Sequence, residues 1–345
     1  MTATMRAAVY TGDKSVSAAD VPVPELGDTE VLVDVSHCGI CGTDVHMITH
    51  GWASPGRIGG HEWSGVVREV GAGVTTWQRG DRVVGGPTWC GVCSFCRSGR
   101  PTLCREDGLV TGKVGGGPEA FAEVAMASER GLYRIPDGLD LRSASLAEPL
   151  AVAMHGLTRA DLQPGQHILV MGAGPIGLLT IAALRAQGFD DVTVSEPSER
   201  RREQAGAAGA TVLTSPDAIP EPPAMPTLHI DGAWDVVFEC SGAKPAQAQA
   251  FGVVGPSGTI VFVGSGMARP SFDVNRVILN ELVITGAYCY DEHGIEKALE
   301  LLASGTLPIE ALIEAEDVSL AGMQAALDGL ASGEIPSKVL INPNL

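Results

Sequence analysis

Gly172-Ala173-Gly174-Pro175-Ile176-Gly177 lies between the apolar run His167–Met171 and a helical pattern, Pro175–Gln187. A strand that turns through such a glycine loop into a helix is compatible with few folds. Gly172 suits a tight turn, Gly174 lets another group approach the backbone, and Gly177 lets the helix pack against the strand. Pro175 falls near the helix start, where its missing N–H costs nothing, and Gly188 falls at the end. The helix N-terminus, with its unpaired N–H groups, suits a pyrophosphate. Gly172, Gly174, Pro175, Ile176 and Gly177 are therefore read as a dinucleotide-binding loop. More strand candidates follow at Asp191–Ser195, Ala210–Leu213, Asp235–Glu239, Thr259–Val263 and Leu282–Ala287. Together with His167–Met171 they predict an α/β, doubly wound parallel sheet. One crossover resists placement: Thr214–Ala233 holds five prolines, so its helix is expected to be short or missing. The tail reads as a helix, Gly294–Ala303, and a strand, Ser337–Asn342.

The chain has 345 residues, too many for one ordinary core. Residues 1–150 read as short β segments among Gly and Pro turns, such as Ala7–Tyr10, Glu30–Ser36, Ser64–Val70 and Arg82–Val84. The pattern changes after the turn signal Gln163-Pro164-Gly165. Apolar residues make up 45% of the chain, which supports packed cores rather than disorder. The 23 basic and 41 acidic residues leave a net charge of −18, which argues against nucleic acid or an anionic membrane as partner. The sequence has no apolar run of about 18 residues, and its first residues lack the apolar core of a secretion signal. The expectation is a cytoplasmic protein.

Of eight cysteines, Cys90, Cys93, Cys96 and Cys104 follow the spacing C-x2-C-x2-C-x7-C. In a reducing compartment such a cluster points to metal rather than disulfides. Zinc takes four thiolates at tetrahedral corners, and with all four used no site remains for substrate. That ion would be structural and would stand in for a core the loop lacks. Four thiolates also suit an iron–sulfur cluster.

Residues 38–46 read Cys-Gly-Ile-Cys-Gly-Thr-Asp-Val-His, and residues 60–74 read Gly-His-Glu-Trp-Ser-Gly followed by Val-Val-Arg-Glu-Val-Gly-Ala-Gly-Val. Cys41 as thiolate and His61 as neutral imidazole suit a catalytic zinc, which keeps a position open for water or substrate. Gly60, His61, Glu62, Gly65, Gly71 and Val74 match each defined position of the zinc alcohol dehydrogenase signature, G-H-E-x2-G-x5-G-x2-V. With the cysteine lobe and the glycine loop, the whole chain resembles the medium-chain zinc-dependent alcohol dehydrogenases. That resemblance implies a GroES-like, β-rich catalytic domain, residues 1–150 and 290–345, with the structural zinc lobe at about 88–106. It implies a Rossmann NAD-binding domain at residues 151–289. It also implies two zinc ions per subunit and reversible hydride transfer from an alcohol to NAD, giving a ketone or aldehyde.

Many alcohol dehydrogenases supply a second cysteine as the last zinc ligand. This chain has Leu-Ala-Glu148-Pro-Leu there, which resembles the sorbitol, threonine and glucose dehydrogenase branch. Glu62 and Glu148 are both candidates for the place, and a secondary or polyhydroxylated alcohol is implied. By the same resemblance Thr43 and His46 form a proton relay, and Asp44 accepts a hydrogen bond from His61. Glu196 lies 19 residues beyond Gly177, where an acid binds the adenosine ribose hydroxyls and disfavours a 2′-phosphate. Arg200, Arg201 and Arg202 stand close enough in sequence to favour that phosphate instead. Arg201 is also a candidate ribose contact, Lys338 a candidate pyrophosphate contact, and His50, Trp52 and Phe121 candidates for the pocket wall. A homodimer or homotetramer through the sheet edge near Leu282–Ala287 is implied. The rival readings are a zinc-free reductase of the same superfamily, against which Cys41, His61 and Glu148 argue, and a non-catalytic nucleotide-binding protein, against which Thr43 and His46 argue.

Overall fold

Thr4–Tyr10 (β1) and Val16–Pro22 (β2) form an antiparallel pair. The strands that follow are Glu30–Gly39 (β3), Glu62–Val70 (β4), Arg82–Gly85 (β5), Val124–Ser128 (β6) and Leu132–Arg134 (β7). In the computed structural model, which describes residues 3–86, 88–105, 119–219, 234–266 and 269–345, β3, β4, β5 and β7 pair in that order, all antiparallel. β6 pairs with the first half of β3, and the late strand Leu340–Ile341 pairs with its last two residues. β3 is held on both edges, and Val31, Leu32, Val33, Val35 and Cys38 are all buried. Each apolar side chain so covered contributes roughly 1.5–3 kcal/mol.

This sheet belongs to one compact unit, Met1–Glu148 with Asp291–Gly305 and Ile313–Leu345. The second unit is Pro149–Tyr290 with Thr306–Leu312. The boundary read from sequence puts residues 306–312 in the first domain, whereas they cluster with the second. The reason is local: Gln204 Nε2 donates to the Ala311 carbonyl at 2.7 Å.

The second unit is built on Ile168–Met171 (β8), Val192–Ser195 (β9), Val212–Thr214 (β10), Trp234–Glu239 (β11), Val254–Phe262 (β12) and Val283–Gly286 (β13). All pair in parallel, in the order β10-β9-β8-β11-β12-β13. The order reverses between β8 and β11, and in open α/β sheets ligands bind at such a switch point. β8 and β9 are buried along their whole length, as strands covered on both faces must be. The helix Pro175–Ala186 follows β8, and Glu199–Ala208 follows β9. Ser198 caps the latter, its hydroxyl accepting the Arg201 N–H, and Gly209 ends it in a left-handed conformation. The proline-rich stretch is described only as far as Ile219, after a short turn of 3-10 helix, Pro216–Ala218. The rest of it lies outside the described residues.

Candidate active site and cofactor loop

Two sequence segments deliver the metal donors. After β3 the chain passes Cys41 and enters α1 (Gly42–Thr49). After Gly60 it enters β4 with His61 and Glu62. Gly60 has φ +94°, and a Cβ there would sit 2.7 Å from Cys38 Sγ and 2.9 Å from the Phe121 nitrogen. Only glycine fits, which fixes the approach of His61. The result is that one donor atom each from Cys41, His61 and Glu62 lie within 4.8 Å of one another. A thiolate, an imidazole and a carboxylate at that spacing match the donor set that zinc takes.

The electrostatics fit a cation. Burial opposes charge on His61, yet Cys41, Asp44 and Glu148 lift its pKa well above the usual histidine value. Glu148, in the first turn of the helix Ala147–Ala160, is pushed up to about 7 by burial, with Glu62 and Asp44 adding to the rise and His61 and Lys338 opposing it. Several acidic groups thus share a poorly hydrated space, and a divalent ion relieves their repulsion.

The relay residues lie on α1. Thr43 is exposed and His46 half-buried, three residues apart and so on neighbouring positions of one helix face. The His46 ring lies 5.5 Å from that of His50, which stacks on Trp52 at 4.8 Å. Asp44 departs from expectation. Its carboxylate accepts the Cys41 N–H at 2.9 Å and the Tyr10 hydroxyl at 3.4 Å, and His61 acts on it only through charge. As the third residue of α1, Asp44 reaches back to the residue that precedes the helix, as in a capping box. It therefore positions Cys41 rather than the imidazole. Phe121 is fully buried against Gly60 and is no pocket wall, whereas Trp52 is half exposed.

Lys338 also departs from expectation. It is 2% exposed, and Nζ donates to Glu62 Oε2 at 2.6 Å, Glu62 Oε1 at 2.9 Å and the Ile40 carbonyl at 3.0 Å. An ammonium engaged three times inside the first unit is not available to a pyrophosphate.

Cys90, Cys93, Cys96 and Cys104 form the second donor group. The Cys93–Cys96 and Cys90–Cys96 sulfur distances are 3.5 and 3.8 Å. A tetrahedron with Zn–S bonds of about 2.3 Å has edges of about 3.8 Å, so the four sulfurs are spaced for zinc. Backbone N–H groups of Val92 and Cys93 point at Cys90 Sγ and lower its pKa. Cys93 is held at about 6 by similar bonds, whereas burial pushes Cys96 up to about 12. None of the four is in a disulfide.

In the second unit the three glycines divide by role. A Cβ on Gly172 (φ +94°) would lie 2.7 Å from Ser241 Cβ, and one on Gly177 would strike the Gly172 carbonyl. A Cβ on Gly174 would meet nothing within 4 Å. Protein packing thus accounts for two of the glycines, and the space over Gly174, at the N-terminus of the Pro175–Ala186 helix, accommodates a pyrophosphate. Pro175 and Ile176 form the first turn of that helix. Glu196 is 4% exposed at the end of β9, accepting the Ala173 N–H at 2.9 Å and the Ser198 N–H at 3.0 Å. Arg202 donates to the carbonyls of Glu196 and Pro197, at 2.6 and 2.8 Å. Arg201 is half-buried and Arg200 exposed.

The alcohol dehydrogenase GroES-like domain matches residues 27–137, and the zinc-binding dehydrogenase domain matches residues 175–304. A 2-dehydro-3-deoxy-L-galactonate 5-dehydrogenase of Pseudoalteromonas atlantica is 35% identical over 322 residues, covering 90% of this chain and 91% of that protein. The chain belongs to the zinc-binding alcohol dehydrogenase family. It is a nicotinamide-dependent oxidoreductase of the medium-chain type, in the sorbitol dehydrogenase-like branch. D-xylulose reductase A of Aspergillus oryzae is 33% identical over 318 residues, covering 88% of each chain. The crystal structure of 2R,3R-butanediol dehydrogenase from Bacillus subtilis has a TM-score of 0.83 and 27% identity, over 99% of this chain and 100% of that one. An NADP-bound protein from Sinorhizobium meliloti, described as a zinc-binding dehydrogenase, has a TM-score of 0.84 and 29% identity, over 99% and 100%.

One residue of this dehydrogenase escaped the sequence reading. Glu239 ends β11 with no exposure, at the switch point of the sheet. Its carboxylate accepts the N–H groups of Ser241 and Gly242, at 2.9 and 3.1 Å, and the Ser241 hydroxyl. Burial raises its pKa. Ser241 is the residue against which Gly172 packs, so Glu239 braces the cofactor turn from behind. The available signal was an acid at the very end of an apolar run, followed by Cys-Ser-Gly.

Proposed function

We propose that this dehydrogenase oxidises a secondary, vicinally hydroxylated alcohol to its ketone, reversibly and with NAD. The observation that carries the reading is the meeting of Cys41, His61 and Glu62 donor atoms within 4.8 Å at the root of the helix that bears Thr43 and His46. Cys41 and His61 would hold the catalytic zinc with Glu62 or Glu148, and Cys90, Cys93, Cys96 and Cys104 the structural one. Bound zinc supplies a Lewis acid that eases loss of a hydroxyl proton. Thr43 accepts that proton and passes it to His46, which releases it to solvent. Bound nicotinamide would take the carbinol hydrogen as hydride, and Gly174 with the helix N-terminus would hold the cofactor's pyrophosphate, Glu196 and Arg201 its ribose. The relatives named for xylulose, a deoxy-galactonate and butanediol support a substrate with more than one oxygen. A panel of diols, polyols and simple alcohols with each cofactor, read as NADH or NADPH appearance, tests it. A clear preference for ethanol or long-chain primary alcohols would refute the substrate class.

The assembly we propose is a homodimer or homotetramer. Val283 and Ile284 on the edge strand β13 are 52% and 41% exposed, and Val274, Ile278 and Leu279 nearby are 57%, 64% and 48% exposed. A second copy of the chain would cover this edge, as unpaired apolar strands require. Light scattering after size exclusion measures the mass; a monomer at micromolar concentration refutes it. We place the enzyme in the cytoplasm as a small-molecule enzyme without nucleic-acid or membrane partners. The clustered unpaired thiols and the charge of −18 support this, and among the described residues no helix is long and apolar enough to cross a membrane.

A further inference from the structure

The turn between β1 and β2, Thr11–Ser15, is set hard against the loop that follows α1. Gly12 has φ +88°, and a Cβ there would lie 2.5 Å from Pro55 Cγ. The Gly56 N–H donates to the Tyr10 carbonyl and the Tyr10 N–H to the Arg57 carbonyl, both at 2.8 Å. The turn holds Lys14 at φ +65°, a conformation uncommon for a lysine. Its side chain runs over Gly51, where a Cβ would lie 3.5 Å from both Cγ and Cε. Gly51 separates His50 from Trp52, whose rings stack. Lys14 is exposed and has no hydrogen-bond or ion-pair partner among the described residues. The acids of these two segments are already engaged. Asp13 accepts the Thr11 and Ser15 hydroxyls, and Asp44 accepts the Cys41 N–H and the Tyr10 hydroxyl. Arg57 is paired with Glu119 at 2.8 Å. The carbonyls of His46, Met47 and Ile48 are taken by the N–H groups of His50, Gly51, Trp52 and Ala53, so the end of α1 offers little to repel an anion. In a chain with 41 acidic and 23 basic residues, this face keeps an unbalanced cation.

We propose that Lys14, with His50 and Trp52, selects a substrate whose far end carries a carboxylate or a phosphate, a sugar-derived acid or a polyol phosphate rather than a neutral polyol. The proposal rests on the reading of the reaction above. Thr43, His46 and His50 stand at i, i+3 and i+7 on α1 and its C-terminal cap, and so share one face. From Thr43 to His50 is two helical turns, about 10 Å. A polyhydroxylated chain whose reacting carbon lies at Thr43 can run along this face, its hydroxyls against two imidazoles and its C–H groups against Trp52. Its acidic end then meets the ammonium of Lys14. A compact ammonium on a flexible stem pairs with a carboxylate or a phosphate alike, so the two anions share the chemistry that recognises them. A neutral chain leaves the ammonium in water and gains nothing from it.

The test measures kcat/KM of the holoenzyme with NAD on three series matched in carbon length: neutral polyols, aldonates and polyol phosphates. The readout is the ratio of anionic to neutral substrate, which cancels any general loss of activity. Wild type favours one anionic series about tenfold or more, the scale of one charge-assisted hydrogen bond, and the ratio falls as added salt screens the attraction. Aldonates ahead of phosphates, or the reverse, identifies the anion, and either supports the proposal. Lys14→Glu lowers the ratio about a hundredfold, since it replaces attraction by repulsion. Lys14→Gly removes the charge and relaxes the turn at its positive φ, and it lowers the ratio about tenfold. Lys14→Arg keeps the ratio. A wild-type preference for the neutral series overturns the proposal, and so does a ratio that Lys14→Glu and Lys14→Gly leave unchanged. Wild type that oxidises simple primary alcohols and none of the three series refutes the reading of the reaction itself, and the proposal with it.

Discussion

The Ala173 N–H donates to Glu196 Oε2 at 2.9 Å, tying the middle of the glycine turn to the end of the neighbouring strand. The acid is thus preset beside the loop proposed to take the pyrophosphate. NAD is expected over NADP, since a 2′-phosphate would face this carboxylate. One charge-assisted hydrogen bond is worth about 1.5–3 kcal/mol, which gives roughly ten- to over a hundredfold discrimination. Glu196→Ala should lose NAD efficiency and gain NADP efficiency, with Arg200 or Arg201 turned to the phosphate. The comparison is kcat/KM for both cofactors. Wild type that favours NADP would mean that the arginines govern the pocket.

Cys96→Ser should destabilise the fold. Structural zinc binding feeds into folding free energy, and each kcal/mol lost lowers Tm by about 2–4 °C in a domain of this size. A fall of several degrees with loss of one zinc is the expected outcome. Cys41→Ser should keep its Tm near wild type while losing turnover. The Cys96→Ser protein melting and turning over like wild type would show that the lobe needs no metal.

Thr43→Ala should slow alcohol oxidation more than His46→Ala, because in the proposed relay the threonine hydroxyl would take the substrate proton and the imidazole would only pass it on. General-base groups contribute about 100- to 10,000-fold, and an indirect relay sits at or below the bottom of that range. The His46→Ala deficit should be largest at low pH, where solvent base cannot replace the ring. Rates measured across pH decide it; an unchanged Thr43→Ala rate removes the relay.

Glu239→Met removes the oxygen that accepts the Ser241 and Gly242 N–H groups. The turn that abuts Gly172 then shifts, and cofactor binding suffers before chemistry does. Removing a charged acceptor costs about 1.5–3 kcal/mol, so KM for NAD should rise about ten- to a hundredfold with kcat little changed. A fall in kcat at constant KM would assign Glu239 a different role.

The parts legible in the sequence share one property: their chemistry is written in adjacent residues. The glycine loop, the four-cysteine spacing and the Gly60-His61-Glu62 run each need only their own segment, and the six strands of the parallel sheet announce themselves as short apolar runs. β2 and β7 left no such mark, since β2 is mostly exposed and β7 has only three residues. The partners of Asp44 and Lys338 were misread for the opposite reason. Asp44 sits beside Cys41 and also near His61, and only the backbone path shows that it reaches back to the former. Lys338 follows a proline and a serine that say nothing of burial, and its neighbour across β3 decides its fate. Glu239 was passed over because an acid at a strand end is usually a solvated one.

The short strand Leu340–Ile341 also orders events in time. Lys338 and Glu62 are 276 residues apart in the chain, and a chain is synthesised from its N-terminus. β3, Cys41, His61 and Glu62 leave the ribosome long before the lysine that neutralises Glu62. Throughout that interval the nascent site carries an unbalanced carboxylate beside a thiolate and an imidazole, a group with every donor needed to capture a metal ion. The closing strand arrives last and brings the ammonium that balances Glu62.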